Sequence, residues 1–170
     1  AHLDSVRDGP GINDNATGVA ALLEIARALK NRSNELAVRF AFWGAEELGL
    51  FGSRAYARPV QRERVTGYLN FDVLGSPSQR YGVYGVDRFA ERWLGYLERR
   101  GMNAVRTGIG GRSDHAAFAQ RGIPVGGLFA GGYACYHRAC DRLANVDLGT
   151  LEDLASAAAY GVASFAPFAR

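Results

Sequence analysis

The acidic side chains of this sequence sit where apolar segments stop. Glu46 and Glu47 follow Ala-Val-Arg-Phe-Ala-Phe-Trp (37–43), Asp72 closes Leu-Asn-Phe (69–71), and Asp14 lies in the polar run Asp-Gly-Pro-Gly-Ile-Asn-Asp-Asn (8–15). Of three histidines, His2 and His137 stand in short polar contexts, Ala-His-Leu-Asp and Cys-Tyr-His-Arg. Imidazole nitrogens and carboxylate oxygens together suit a borderline cation such as Zn²⁺ in an open site. A shared carboxylate would hold two such ions roughly 3.5 to 4 Å apart, an arrangement used to activate water. Adjacent glutamates then divide the work: one coordinates, and its neighbour stands beside the water as a base.

Each of these features also has a purely structural reading. Asn13-Asp14-Asn15 could cap the first helix as an Asx turn. Glu46-Glu47 could be a helix-start acid pair favoured by the dipole. His2 could be a frayed terminal residue, and His115 reads as a hydrogen-bonded helix-start histidine rather than a ligand.

What positions these groups is an alternation of strand and helix patterns. Val19, Leu22, Leu23, Ala26 and Leu29 recur at helical spacing up to Lys30, and the 37–43 run, ended by Gly44, reads as a buried strand. A short helix spans 50–57, a strand 67–74, an edge strand 81–84 and a helix 88–100 carrying Phe89, Trp93 and Leu97 on one stripe. Beyond these lie a short strand at 103–107, a helix from Ser113-Asp114 to about 121, a strand at 124–129 and a last helix from Thr150 to Ala163, with Thr150 and Asp153 as a weak capping box. This order predicts a three-layer αβα domain around a central, mainly parallel twisted sheet. Ligands of such sheets bind outside the carboxyl ends of the strands, which is where the acids and His137 fall.

Composition narrows the function classes. With 170 residues, nearly half of them hydrophobic, the chain can bury a single core. A net charge of +3 comes from scattered arginines without a basic block, which argues against nucleic-acid binding. No apolar run reaches the roughly 20 residues of a membrane span. Cys135 and Cys140 leave two readings open: a disulfide closing a small loop, or a zinc knot with His137 and Asp141.

Seven stretches in order, Ala-His-Leu-Asp-Ser, Gly-Ile-Asn-Asp-Asn, Phe-Trp-Gly-Ala-Glu-Glu-Leu-Gly-Leu-Phe-Gly-Ser, Tyr-Leu-Asn-Phe-Asp, Arg-Ser-Asp-His-Ala-Ala-Phe, Ile-Pro-Val-Gly-Gly-Leu-Phe and Cys-Tyr-His-Arg-Ala-Cys-Asp, resemble the secreted bacterial double-zinc aminopeptidases, closest to their streptomycete members. The resemblance implies a zinc-exopeptidase-like fold and two zinc ions per chain. By position it makes His2 and Asp72 ligands of one ion, Glu47 and His137 ligands of the other, and Asp14 the bridge. It makes Glu46 the general base, Tyr136 the phenol that steadies the tetrahedral intermediate, and Asp4 the carboxylate that orients His2. Arg112, Gly111, Phe129 and Val73 align with the substrate pocket, and Cys135 with Cys140 matches a family disulfide. The implied protein is secreted and monomeric, and hydrolyses peptides from a free N-terminus, with large hydrophobic first residues preferred.

Members of the family carry a further portion before Ala-His-Leu-Asp-Ser, so residues 1–170 are expected to be one catalytic domain lacking its N-terminal segment. The stretch between Phe129 and Cys135 is shorter than in those members, from residues absent there or from a more open pocket. Glu152 and Ser156 align with the acids of a calcium site in the last helix of the relatives, and that site is not carried over to this chain. Two other readings of the chain are a non-catalytic peptidase-like binding module and a one-zinc glutaminyl cyclotransferase.

Overall fold

A computed structural model of the chain describes residues 1–32, 36–60 and 65–166. Its helices are α1 (Thr17–Leu29), α2 (Phe51–Ala57), α3 (Asp87–Arg99), α4 (His115–Ala119) and α5 (Leu148–Phe165); its strands are β1 (Tyr68–Phe71), β2 (Tyr81–Gly85), β3 (Ala104–Arg106) and β4 (Val125–Phe129). The strands form one sheet in the order β1-β4-β2-β3. β1 pairs with β4 and β2 with β3 in parallel, while β2 and β4 run antiparallel. Helices α1, α3 and α5 cover one face, and α2 and α4 the other, giving the expected three layers around a mainly parallel sheet.

The helices form where their apolar residues make a stripe. In α3, Phe89, Ala90, Trp93 and Leu97 are buried at three- and four-residue steps, and in α5 Leu154, Ala157, Ala158 and Val162 face them. The Trp93 indole donates to the Ala157 carbonyl at 3.0 Å. It lies so close to α5 that a Cβ on Gly161 would come within 2.4 Å of it. On β4 the same logic applies to Gly127, where a Cβ would collide with the Tyr84 ring at 2.2 Å. That space lets the Tyr84 hydroxyl reach the middle of the sheet and accept from the Asn70 amide at 2.9 Å.

Three sequence expectations change. The 37–43 segment, expected as a buried strand, is only partly buried: Val38, Phe40 and Phe42 pack against one core and Ala41 and Trp43 against the other, but Trp43 alone is fully buried and Ala37 and Arg39 are exposed. It also forms no ladder: its one sheet pairing is the parallel bridge of Trp43 with His2, flanked by Trp43 N–H to the Ala1 carbonyl (3.0 Å) and Leu3 N–H to the Trp43 carbonyl (2.7 Å). A ladder needs a partner along its length, and among the described residues only the first three run beside it. Second, β2 is an interior strand and β3 holds the edge, because Val83 and Tyr84 are buried on a sheet that continues past them. Third, α5 starts at Leu148 and is capped by Asp147, whose carboxylate accepts from Thr150 N–H at 2.7 Å. The acid assigned to the capping box, Asp153, accepts instead from the Tyr81 hydroxyl at 2.8 Å.

Candidate metal centre

β1 and β4 point the same way, so Asp72 directly after β1 and the 130–141 loop after β4 emerge at one edge of the sheet. His2, paired with Trp43, and the Ala45–Glu47 turn beyond it arrive at the same place. The backbone bends sharply to deliver these side chains. Ala45, Val73 and His137 occupy the left-handed region at φ 56°, 58° and 57°, a conformation unfavourable for a β-branched residue such as Val73.

Asp14 lies at the centre. Its Oδ1 is 3.0 Å from His2 Nε2, and its Oδ2 is 3.3 Å from His137 Nε2. His2 Nε2 is also 3.4 Å from Asp72 Oδ1, and His137 Nε2 is 3.0 Å from Glu47 Oε2. Glu46 joins His2 and Asp72 in a second cluster whose ligand atoms lie within 4.8 Å of one another. All five residues expected as ligands therefore converge, with Glu46 beside them.

The donor set fits a cation better than it fits itself. His2 Nδ1 faces the Asp4 carbonyl at 3.0 Å, and a carbonyl only accepts, so that nitrogen carries the proton. Nε2 is then the nitrogen that faces the two carboxylates, and its lone pair is available to a bound cation once its proton is lost. Glu47 Oε1, Asp72 Oδ1 and His137 Nε2 are buried without a hydrogen-bond partner, the pattern left where a bound ion would satisfy them. Crowding of like charges has the same meaning. Burial, reinforced by neighbouring carboxylates and opposed by His2, pushes Glu46 up to about 8 and Glu47 up to about 7. Burial opposes protonation of His2, but its bonds with Asp14 and Asp72 win and push the ring up to about 11.

A buried frame holds these groups. Asn15 donates to the Phe71 carbonyl at 3.0 Å and accepts from Val73 N–H at 3.3 Å, while Asn13 accepts from Gly75 N–H at 2.9 Å. The two amides flanking Asp14 thus staple its turn to the segment bearing Asp72. Ser113 donates to Asp72 Oδ2 at 2.6 Å and accepts from Asn70 at 2.8 Å, which leaves Asp72 Oδ1 free. The Asp4 carboxylate departs from its expected place: it lies 3.7 Å from His2 Nδ1, and its two oxygens accept from Glu46 N–H (3.0 Å) and Glu47 N–H (3.2 Å). The backbone carbonyl of Asp4, not its side chain, orients His2.

A cavity of about 570 Å³ opens over the cluster. Its walls include Val73, Gly111, Arg112 and Phe129, all four pocket residues expected from the sequence, and also Ile109 and Arg54, which were not. Tyr136 lines it as well, half exposed and stacked on His137 with ring centroids 3.7 Å apart. Burial and the charges of Asp14 and Glu47 hold its phenol protonated, pushed up to about 12. Cys135 and Cys140 are joined as a disulfide, which removes the zinc-knot reading because both sulfurs are used. His115 stays outside the cluster, with Nε2 2.8 Å from the Gly110 carbonyl.

Sequence reasoning gave Asn13, Asn15 and Ser113 only helix-capping roles, missed Asn70, and placed Asp141 only as a knot ligand. Asp141 is buried and accepts from Asn13 N–H at 2.8 Å and Asp14 N–H at 3.2 Å. Buried amides and hydroxyls beside apolar strand residues were the available signal.

The profile of peptidase family M28 matches residues 1–162. Leupeptin-inactivating enzyme 1 of Streptomyces exfoliatus is 41% identical over 189 residues, covering 95% of this chain and 43% of that protein. Among solved structures, an aminopeptidase from Aneurinibacillus sp. strain AM-1 superposes with a TM-score of 0.87 at 29% identity, over 99% of this chain and 43% of the other. A zinc aminopeptidase from Bacillus subtilis gives 0.87 at 27%, over 97% and 44%. The chain thus spans less than half the length of these relatives.

Proposed function

The chain belongs to peptidase family M28, and from that premise we propose that it is the catalytic part of a zinc-dependent aminopeptidase that removes large hydrophobic residues from the free N-termini of peptides. One observation carries the reading: a single carboxylate, Asp14, has an oxygen toward each of two imidazoles, and each imidazole has a second carboxylate of its own. That is the donor arrangement for two ions sharing one bridge.

His2 and Asp72 would hold one zinc, Glu47 and His137 the other, and Asp14 both. Bound there, zinc supplies Lewis acidity, lowering the pKa of water toward neutrality and polarising the scissile carbonyl. Glu46 accepts the proton of the attacking water on its carboxylate and returns it to the departing amine, so no acyl-enzyme forms. The Tyr136 hydroxyl, kept protonated, donates to the oxyanion of the tetrahedral intermediate. The α-ammonium of the substrate rests against Glu46 and Asp72, which selects free N-termini. Phe129 and Val73 receive an apolar first side chain beside Gly111 and Arg112. The Cys135–Cys140 disulfide supports a site of action in an oxidising, extracytoplasmic compartment, and no helix among the described residues is long and apolar enough to cross a membrane.

Protein stripped by a chelator and reloaded with zinc should bind about two ions per chain and hydrolyse leucine p-nitroanilide. Full loading without hydrolysis would refute the reading; one ion with cyclisation of N-terminal Gln would move the chain to the cyclotransferases. Glu46→Gln should keep its zinc and lose roughly 10²- to 10⁴-fold in kcat.

A further inference from the structure

We propose that Asp141 is a positioning residue for the metal centre, fixing the backbone of Asn13 and Asp14 so that the carboxylate common to both imidazoles stays between them. The proposal rests on the two-zinc reading and adds to it a residue outside the ligand set.

Three successive backbone donors converge on this one residue. Asn13 N–H donates to Asp141 Oδ1 at 2.8 Å, Asp14 N–H to Oδ2 at 3.2 Å, and Ile12 N–H to the Asp141 carbonyl at 3.3 Å. Hydrogen bonds from N–H to an ionised carboxylate are among the stronger ones, and here both oxygens are used. The turn cannot hold this stretch alone, because Asp14 (φ −114°, ψ 86°) and Asn15 (φ −139°, ψ 41°) leave helical geometry within it. The amides of Asn13 and Asn15 anchor the turn to residues 71–75 from the other side, independently of Asp141. Loss of the Asp141 carboxylate should therefore leave the turn in place while freeing the peptide units that aim Asp14.

Its place in the chain gives Asp141 a second lever. The Cys135–Cys140 disulfide closes a loop that carries His137, and Asp141 is the residue immediately after it. One short segment thus supplies an imidazole and grips the backbone of the carboxylate lying 3.3 Å from that imidazole. Asp14 and His137 then move as a unit, which keeps their spacing fit for a cation.

Partners that orient metal ligands from outside are worth about 10- to 100-fold in metal affinity. The test compares wild type with Asp141→Asn, which keeps the shape but turns one acceptor into a donor. Zinc affinities are read by competition with a chromogenic chelator, and urea unfolding of the zinc-free proteins is read in parallel. The expected result is a 10- to 100-fold weaker zinc affinity with a nearly unmoved unfolding midpoint, and partial recovery of kcat in excess zinc. Wild-type affinity for both ions, or a loss that only tracks unfolding, would overturn it. If Asp141→Asn does not fold, Asp141→Glu is read the same way, and failure of both to fold also overturns the role, since the residue would then be structural. A wild type that binds no zinc would instead sink the two-zinc reading itself.

Discussion

The two imidazoles of the centre are chemically alike and physically opposite. His2 is 1% exposed, bonded through Nδ1 to the Asp4 carbonyl, and set among Asp14, Asp72 and Glu46. His137 is 34% exposed, makes no hydrogen bond from its ring among the described residues, and rests on Tyr136 in a disulfide-closed loop. One half of the site is part of the core, and the other is a lid on it. The difference teaches that the same ligand type can carry stability in one half and only chemistry in the other.

Replacing each histidine by Ala breaks this comparison most directly. In zinc-free protein, His2→Ala leaves buried carboxylates without their counter-charge, a loss of ~3–5 kcal/mol by the usual cost of breaking a buried pair. His137→Ala should cost ~1 kcal/mol or less, as for a partly exposed pair. Both should lower zinc content. Equal unfolding midpoints in urea for the two variants would end the distinction.

The carboxylates crowded between the two imidazoles, with His2 itself, set a pH signature. Glu46 and Glu47, raised to about 8 and about 7, are ionised in the unfolded chain before the folded one, so stability falls as pH rises from their ordinary range to those values. His2, raised to about 11, contributes stability that is complete below its ordinary value and lost as pH rises through 11. All three act in the same direction. Zinc-free protein should melt several degrees lower at pH 8 than at pH 5, with zinc closing most of that gap. A melting temperature that rises over this range without zinc would contradict the charge distribution described here.

For the exposed half, Cys135→Ser with Cys140→Ser removes a constraint on a loop of sequence separation 5, worth roughly 2 kcal/mol in the chain-entropy picture. The main effect should fall on zinc held by Glu47 and His137. Calorimetric titration with zinc should show one weakened site and one nearly unchanged; two equally weakened sites would mean the loop supports the whole centre.

Much of this was readable from residue types. The acids at strand ends and the helical stripe of Phe89, Trp93 and Leu97 lie where the sequence pattern puts them, and the four pocket residues lie where the family resemblance puts them. Local pattern did not reveal what depends on distant neighbours. Val83 and Tyr84 look like an edge strand until β3 is known to pair beyond them. The β-branched and aromatic run of 37–43 reads as a buried strand, yet both its pairing and its burial depend on what runs alongside, and only Trp43 is fully buried. Asp141 is the plainest case: its partner amide on Asp14 is 127 residues away, and backbone N–H groups have no residue type to read.

Asp4 offers the finest test, because it ties the two halves together. It follows His2 by two residues, yet its carboxylate grips the backbone of Glu46 and Glu47, and Glu47 belongs with His137. The segment of the buried imidazole thus positions a ligand of the exposed one. Asp4→Asn places an amide donor against one of those N–H groups, losing one bond worth about 1 kcal/mol. Because the His2 ring is held by the Asp4 carbonyl, which the substitution keeps, zinc on the His2 side should bind as before. Turnover should fall roughly fivefold, as that energy converts at room temperature, with the weaker affinity confined to the Glu47 and His137 side. Equal weakening of both zincs would mean that the Asp4 carboxylate, at 3.7 Å, does orient His2 after all.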